Sequence, residues 1–252
     1  MADTFAFLHH ELVWKTDRLY LELHKRLIPS YNKDFYAYFG EGWQLARIEQ
    51  GTRYGMTAED EMIFLFTHFA KHFRDGGIGC RYVADLWVYR NAHPTMDEEY
   101  IHTVLDKIQL SVFYDNILRL IDVWFCDTQS DAKTDFMTDF IFASGSWGTL
   151  ESRAIANAVK FSRHHSSLGL RGKIKYVLHT LFPSVRQIEG KYTVLKKYPW
   201  LLPAVWLWRL GHKILFERKS FVRHQRMLAA FDPDDIQTRQ QALNYVGLDY
   251  NF

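Results

Sequence analysis

Disulfide chemistry is the first thing this chain lacks. Its 252 residues include two cysteines, Cys80 and Cys126. That is too few for a cysteine framework and in keeping with a reducing, cytoplasmic setting. No run of eighteen apolar residues occurs, which excludes a membrane-spanning helix. The first residues do not carry a basic region followed by a long apolar stretch, so no secretory leader is expected. Internal repeats and low-complexity tracts are absent too. Acid is scarce in one region: from Arg153 to Arg226 there are 16 Lys and Arg against two acids, Glu189 and Glu217. The remainder holds 15 Lys and Arg and 27 acids, so the net charge of +2 conceals parts near +14 and −12. Such a split suits a surface for a polyanion (nucleic acid, nucleotide phosphate or anionic lipid), or two parts that neutralise each other in the fold.

What is present is apolar material. At 48% hydrophobic and 16% aromatic residues the chain can build a substantial core, which argues against disorder. The stretch Thr57 to Asn91 reads as two helices joined by a glycine turn. Thr57 is placed as N-cap, with Asp60 three residues on, and Glu59, Asp60 and Glu61 suit the positive end of a helix. Ile63, Phe66, Phe69 and Ala70 keep helical spacing. Gly76, Gly77 and Gly79 end the run, and a second helix is predicted from about Arg81.

Polar residues interrupt these faces in register. His68 and His72 stand four apart on one face, with Lys71 beside them, and Arg81 and Asp85 repeat the spacing on the next helix. An antiparallel pair across a short turn would bring all five together. Satisfied core histidines and a helix ion pair account for the same pattern. His-Phe-Ala-Lys-His also lacks the glutamate of the H-E-x-x-H zinc motif.

Residues 6 to 28 predict a β-hairpin turning at Thr16-Asp17. Leu19, Leu21 and Leu23 alternate with Tyr20, Glu22 and His24. Glu22 is either a solvated edge residue or a metal-binding carboxylate on a sheet face. A hairpin alone is marginal in water, and the sequence suggests no further strand. Residues 29 to 56, rich in aromatics, are expected to connect and to hold a short helix. Beyond residue 57 helices follow one another. Thr95 is placed as the cap of one, Val112 to Phe125 forms another, and Asp131 to Ala143 a third. The turn at 144–149, a helix from Leu150 to Arg163 and a polar connection from His164 to Gly172 come next. Residues 201 to 216, LLPAVWLWRLGHKILF, resemble an interfacial amphipathic helix, or else a core helix with a basic outer face. Asp232 and Pro233 open the last helix. The expected class is mostly α with an N-terminal β-hairpin, organised as a sheet portion and connecting segment over 1–56 and a helical domain over 57–252.

HHELVWK, LYLELHKRL, EDEMIFLFTHFAKHF, GIGCRYVADLWVY, SGSWGTLES and LFPSVRQIEGKYTVLKKYPWLLPAVWLWRL, in that order and spacing, resemble an uncharacterised nucleotidyltransferase family of bacteria within the polymerase-β-like superfamily. The resemblance implies a nucleoside triphosphate as substrate and Mg²⁺ held by a D-x-D pair and a later acid, with a Gly-Ser turn on phosphate. It implies transfer of a nucleoside monophosphate to an acceptor, two divalent ions clamping the attacking and leaving oxygens. Glu22 matches the later-strand acid and becomes the catalytic, metal-binding candidate. The Gly-Ser and D-x-D segment would lie before HHELVWK, so the expectation is a fragment, a late start or a degenerate member, inactive or incomplete by itself. His68, Lys71, His72 and Arg81 would face phosphates or the acceptor, with Asp85 orienting Arg81. The alternative is a non-catalytic helical module that binds nucleic acid or a phosphorylated ligand through its basic region.

Overall fold

A computed structural model of the chain describes residues 4–6, 10–16, 19–24, 26–28, 33–145, 156, 178, 181–188, 192–216 and 233–248. The fold is mostly α with an N-terminal hairpin. Chain contacts divide it into two compact units, Met1–Arg26 with Phe161–Pro233, and Leu27–Lys160 with Asp234–Phe252. This partition does not cut at residue 56, where the change from strand to helix suggested a boundary. The chain leaves the first unit at residue 26 and returns to it at 161.

In the first unit the predicted hairpin is present as β2 (His10–Thr16) and β3 (Leu19–His24), antiparallel, with Leu12 opposite Glu22. The sequence reading omitted a third strand. β1 (Thr4–Ala6) pairs antiparallel with β2, giving the order β1-β2-β3. Further along, short helices at Val185–Ile188 and Val194–Lys197 precede a longer one at Leu202–Phe216.

The second unit holds α1 (Lys33–Phe39), a hairpin of β4 (Arg47–Gln50) and β5 (Arg53–Gly55), then α2 (Ala58–Asp75), α3 (Arg81–Ala92), α4 (Glu98–Lys107), α5 (Ser111–Phe125) and α6 (Ala132–Ser144). A last helix spans Pro233–Tyr245. The β4–β5 hairpin corrects the expectation that no strand follows the first two. Its residues are exposed apart from Gly55, which is half-buried, so it shows none of the apolar alternation that marks a strand packed on a core.

Helix starts follow local chemistry. Thr57 Oγ1 accepts from the Asp60 backbone N–H at 3.1 Å, as expected of an N-cap. The Asp60 side chain does not complete a capping box; it turns into the fold, as described below. Asp97, not Thr95, caps α4, its carboxylate accepting from the Tyr100 N–H at 2.9 Å. The acid wins because its oxygen stands three residues before that N–H, the reach of an N-cap. Asp131 and Thr134 form a full capping box on α6. The expected helix over 150–163 falls outside the described residues except at Ala156, which is helical. The connection at 164–172 and the Asp232 cap fall wholly outside them.

The core of this unit is the inner face of α2. Met62, Ile63, Phe66, Phe69 and Phe73 are buried at helical spacing. Phe66, Phe69 and Phe73 all meet the Phe113 ring of α5, with centroids 5.0–5.8 Å apart. Phe73 also stacks on Phe140 of α6 at 4.5 Å. Stacked, tilted and edge-on ring pairs of this kind stabilise beyond the area they bury. The Arg74 guanidinium is enclosed at the end of α2, 5.0 Å from the centre of the Phe35 ring, with Nε 3.4 Å from Asp75 Oδ1. A cation there suits the negative end of the helix.

Candidate functional site at the junction of α2, α3 and α6

The glycine turn that ends α2 sets the geometry. Gly76 and Gly77 both donate to the His72 carbonyl. Gly77 adopts φ +102°, which L side chains rarely adopt, and a Cβ built on it would overlap Oγ and Cβ of Ser144 at the end of α6. Glycine therefore lets the turn sit directly against α6.

Beside this contact lies a cleft of ≈ 590 Å³. One wall is Gly79, Cys80, Arg81, Tyr82 and Asp85 from the start of α3; the other is Ile141, Phe142 and Gly145 from the end of α6. Arg81 and Asp85 form the expected one-turn ion pair, Nε to Oδ2 3.6 Å, with both side chains exposed. The Tyr82 hydroxyl is pushed above its ordinary pKa by burial, with Arg81 opposing and Asp85 adding to the shift. It is a neutral hydrogen-bonding group at physiological pH.

His68 and His72 face each other on α2. Their Nε2 atoms are 2.8 Å apart, so one ring donates its N–H to the other's lone pair. Tyr82 joins this pair to the cleft. Its ring lies nearly parallel to His68, at 6.5 Å and 11°, and 6.2 Å from His72. Four of the five expected cofactor-binding residues thus stand at or beside the cleft: Arg81 and Asp85 line it, and His68 reaches it through Tyr82. His72 shares that link. Lys71 lies half-buried on the same helix, outside the cleft lining. Glu22 belongs to the other compact unit, on β3 opposite Leu12.

Sequence reasoning passed over Tyr82 and the α6 wall. Tyr82 directly follows Arg81, and an aromatic at the first turn of an apolar helix reads as core. The α6 residues are 60 positions away in sequence and carry no motif. A second polar cluster was missed as well. The buried Asp60 carboxylate accepts from the hydroxyls of Tyr38 at 3.0 Å and Tyr100 at 2.9 Å. Burial, and then the bonds to Tyr100 and Asp60, hold the Tyr38 hydroxyl well above the usual tyrosine range.

Among the described residues no group of three or more His, Cys, Asp or Glu converges to hold an ion, and two Mg²⁺ ions need several oxygen ligands. No helix among the described residues is long and apolar enough to cross a membrane.

No curated protein and no solved structure matches the chain. Residues 5–126, which include β2, β3, α2, α3 and one wall of the cleft, match the family model described as uncharacterised nucleotidyltransferase, and over that stretch the chain is similar to that family.

Proposed function

We propose that the chain binds a nucleoside triphosphate as part of a nucleotidyl-transfer site, with the α3–α6 cleft receiving the phosphate-bearing ligand. The observation that carries this reading is the location of the cleft wall Gly79 to Asp85 inside the family-matched stretch 5–126. Arg81 supplies an exposed guanidinium, suited to two phosphate oxygens at once, and Asp85 holds it at the rim. Tyr82 and Phe142 offer ring faces for a base. His68 and His72 back the cleft through Tyr82, and with Lys71, which lies outside its lining, they are assigned to the acceptor side.

Glu22 keeps the role of a strand carboxylate for Mg²⁺. One carboxylate does not hold two ions, so nucleotide binding is the activity expected of these residues, and transfer requires further acids. The family likeness supports the nucleotide; the acceptor is a phosphorylated molecule or a nucleic acid.

Titration of the full chain with ATP, with and without Mg²⁺, tests the reading. Arg81→Ala is expected to weaken binding by about tenfold or more, the usual effect of losing a charge-assisted hydrogen bond. Glu22→Ala should remove any gain that Mg²⁺ gives. ATP binding that is undetectable, or equal in wild type and Arg81→Ala, would defeat the proposal.

A further inference from the structure

The helix Leu202–Phe216 is turned the wrong way for a soluble protein. Leu207, Trp208 and Leu215 are 73%, 68% and 76% exposed, and Trp200 just before the helix is 73% exposed. With Ala204 and His212, also exposed, they follow spacings of three and four along one outward side. The inward side carries the hydrogen-bonding groups. Trp206 Nε1 donates to the Pro183 carbonyl at 2.9 Å, and Arg209 Nη1 donates to the Leu181 carbonyl at 3.4 Å. The Trp206 ring also meets Phe182 edge-on at 5.3 Å. Of the two sequence readings, the exposed leucines and tryptophans favour the interfacial helix; the Lys213 side chain lies outside the described residues. The described outer residues are mostly apolar, with His212 exposed among them, and Arg209 donates inward to the Leu181 carbonyl.

We propose that this stripe docks on the surface of an anionic lipid bilayer, its tryptophans and leucines entering the boundary between headgroups and acyl chains. Charge selects the occupant. Lys196 and Lys197 are exposed just ahead of the helix. Lys197 Nζ lies 5.3 Å from the centre of the Tyr198 ring, which meets Trp200 edge-on at 6.3 Å. Amphipathic aromatics beside cations are the residues that settle at a membrane interface. The segment Arg153 to Arg226, which contains the helix, has 16 basic residues against two acids. Such a segment repels its own copy and attracts an anionic surface. Nucleic acid would also satisfy the cations, but it offers no counterpart for Leu207 and Leu215, whereas acyl chains do. The helix has 15 residues, about 22 Å at 1.5 Å per residue, against a hydrocarbon core of about 30 Å. It lies along the interface and does not cross it.

The test is flotation of the full chain with vesicles of phosphatidylcholine alone and of phosphatidylcholine with phosphatidylglycerol. The chain is expected to float with the anionic vesicles and to remain below with the neutral ones. Leu207→Glu and Leu215→Glu each place a charge on the exposed stripe and should lower partitioning by about tenfold or more. Their folding is checked by circular dichroism. Lys196→Glu with Lys197→Glu, which leaves the apolar stripe intact, should weaken binding to anionic vesicles in the same direction. Wild-type protein that stays below with both vesicle types overturns the proposal. So does flotation unchanged by the leucine substitutions, binding to RNA without binding to vesicles, or a concentration-dependent dimer that Leu207→Glu dissociates. Nucleotide affinity is read separately, so failure here leaves the cleft proposal standing.

Discussion

The Tyr100 hydroxyl donates to the buried Asp60 carboxylate at 2.9 Å, tying the start of α4 to the first turn of α2. Tyr38 reaches the same oxygen at 3.0 Å. Asp60→Ala leaves both hydroxyls without their acceptor and removes an acid from a helix start. It should cost about 2–3 kcal/mol, and Tyr100→Phe about 1 kcal/mol. Urea unfolding of the three proteins checks this, and equal midpoints would show that the cluster is not a stabilising unit.

The tyrosines set the response to alkali. Burial raises the hydroxyl pKa of Tyr38, Tyr89 and Tyr114, so the folded chain holds these protons more tightly than the unfolded chain. Their contribution is complete below about pH 10, where unfolded tyrosine is still neutral, and is lost as pH rises beyond it. The unfolding midpoint should stay level up to that pH and then fall. Tyr114→Phe, although less stable at neutral pH, should show a shallower alkaline decline.

Acid should act through the α6 cap. Hydrogen bonds from the Thr134 and Lys133 N–H groups, helped by Arg119, hold the Asp131 carboxyl below its usual pKa. Its contribution is present above about pH 4 and is lost as pH falls. Asp131→Asn keeps an oxygen for the cap, and its unfolding midpoint should depend less steeply on pH between about 5 and 2. Identical acid profiles for the two proteins would refute this.

Gly77→Ala should destabilise the second unit by about 2 kcal/mol or more, because the new methyl overlaps Ser144 and the φ of +102° disfavours a side chain. Thermal unfolding measures the loss. Nucleotide affinity should fall with it if the cleft depends on this contact.

In the core, Phe113→Ala removes the ring that Phe66, Phe69 and Phe73 share. The expected cost is about 3–5 kcal/mol. Denaturant midpoints below that loss would mean the cluster repacks.

Legibility in the sequence followed burial. The α2 face was readable because Ile63, Phe66 and Phe69 repeat at helical spacing, and the cap at Thr57 because one oxygen three residues before an N–H has few alternatives. The first hairpin was readable from the alternating leucines of β3. The β4–β5 hairpin was not, because its residues face water and carry no alternation. The one-turn pairs His68–His72 and Arg81–Asp85 were visible as spacing. Their meeting through Tyr82 was not, since ring orientation across two helices is a tertiary fact. The α6 wall of the cleft lay beyond any local pattern. The outward stripe of Leu202–Phe216 was ambiguous because periodicity gives the faces of a helix but not which one turns inward.

Ser144 occupies the space that any residue larger than glycine would need at position 77. The turn between α2 and α3 is thereby seated against the end of α6, beside the cleft. For the ligand proposed above, a turn already seated against α6 is one arrangement that binding does not have to create.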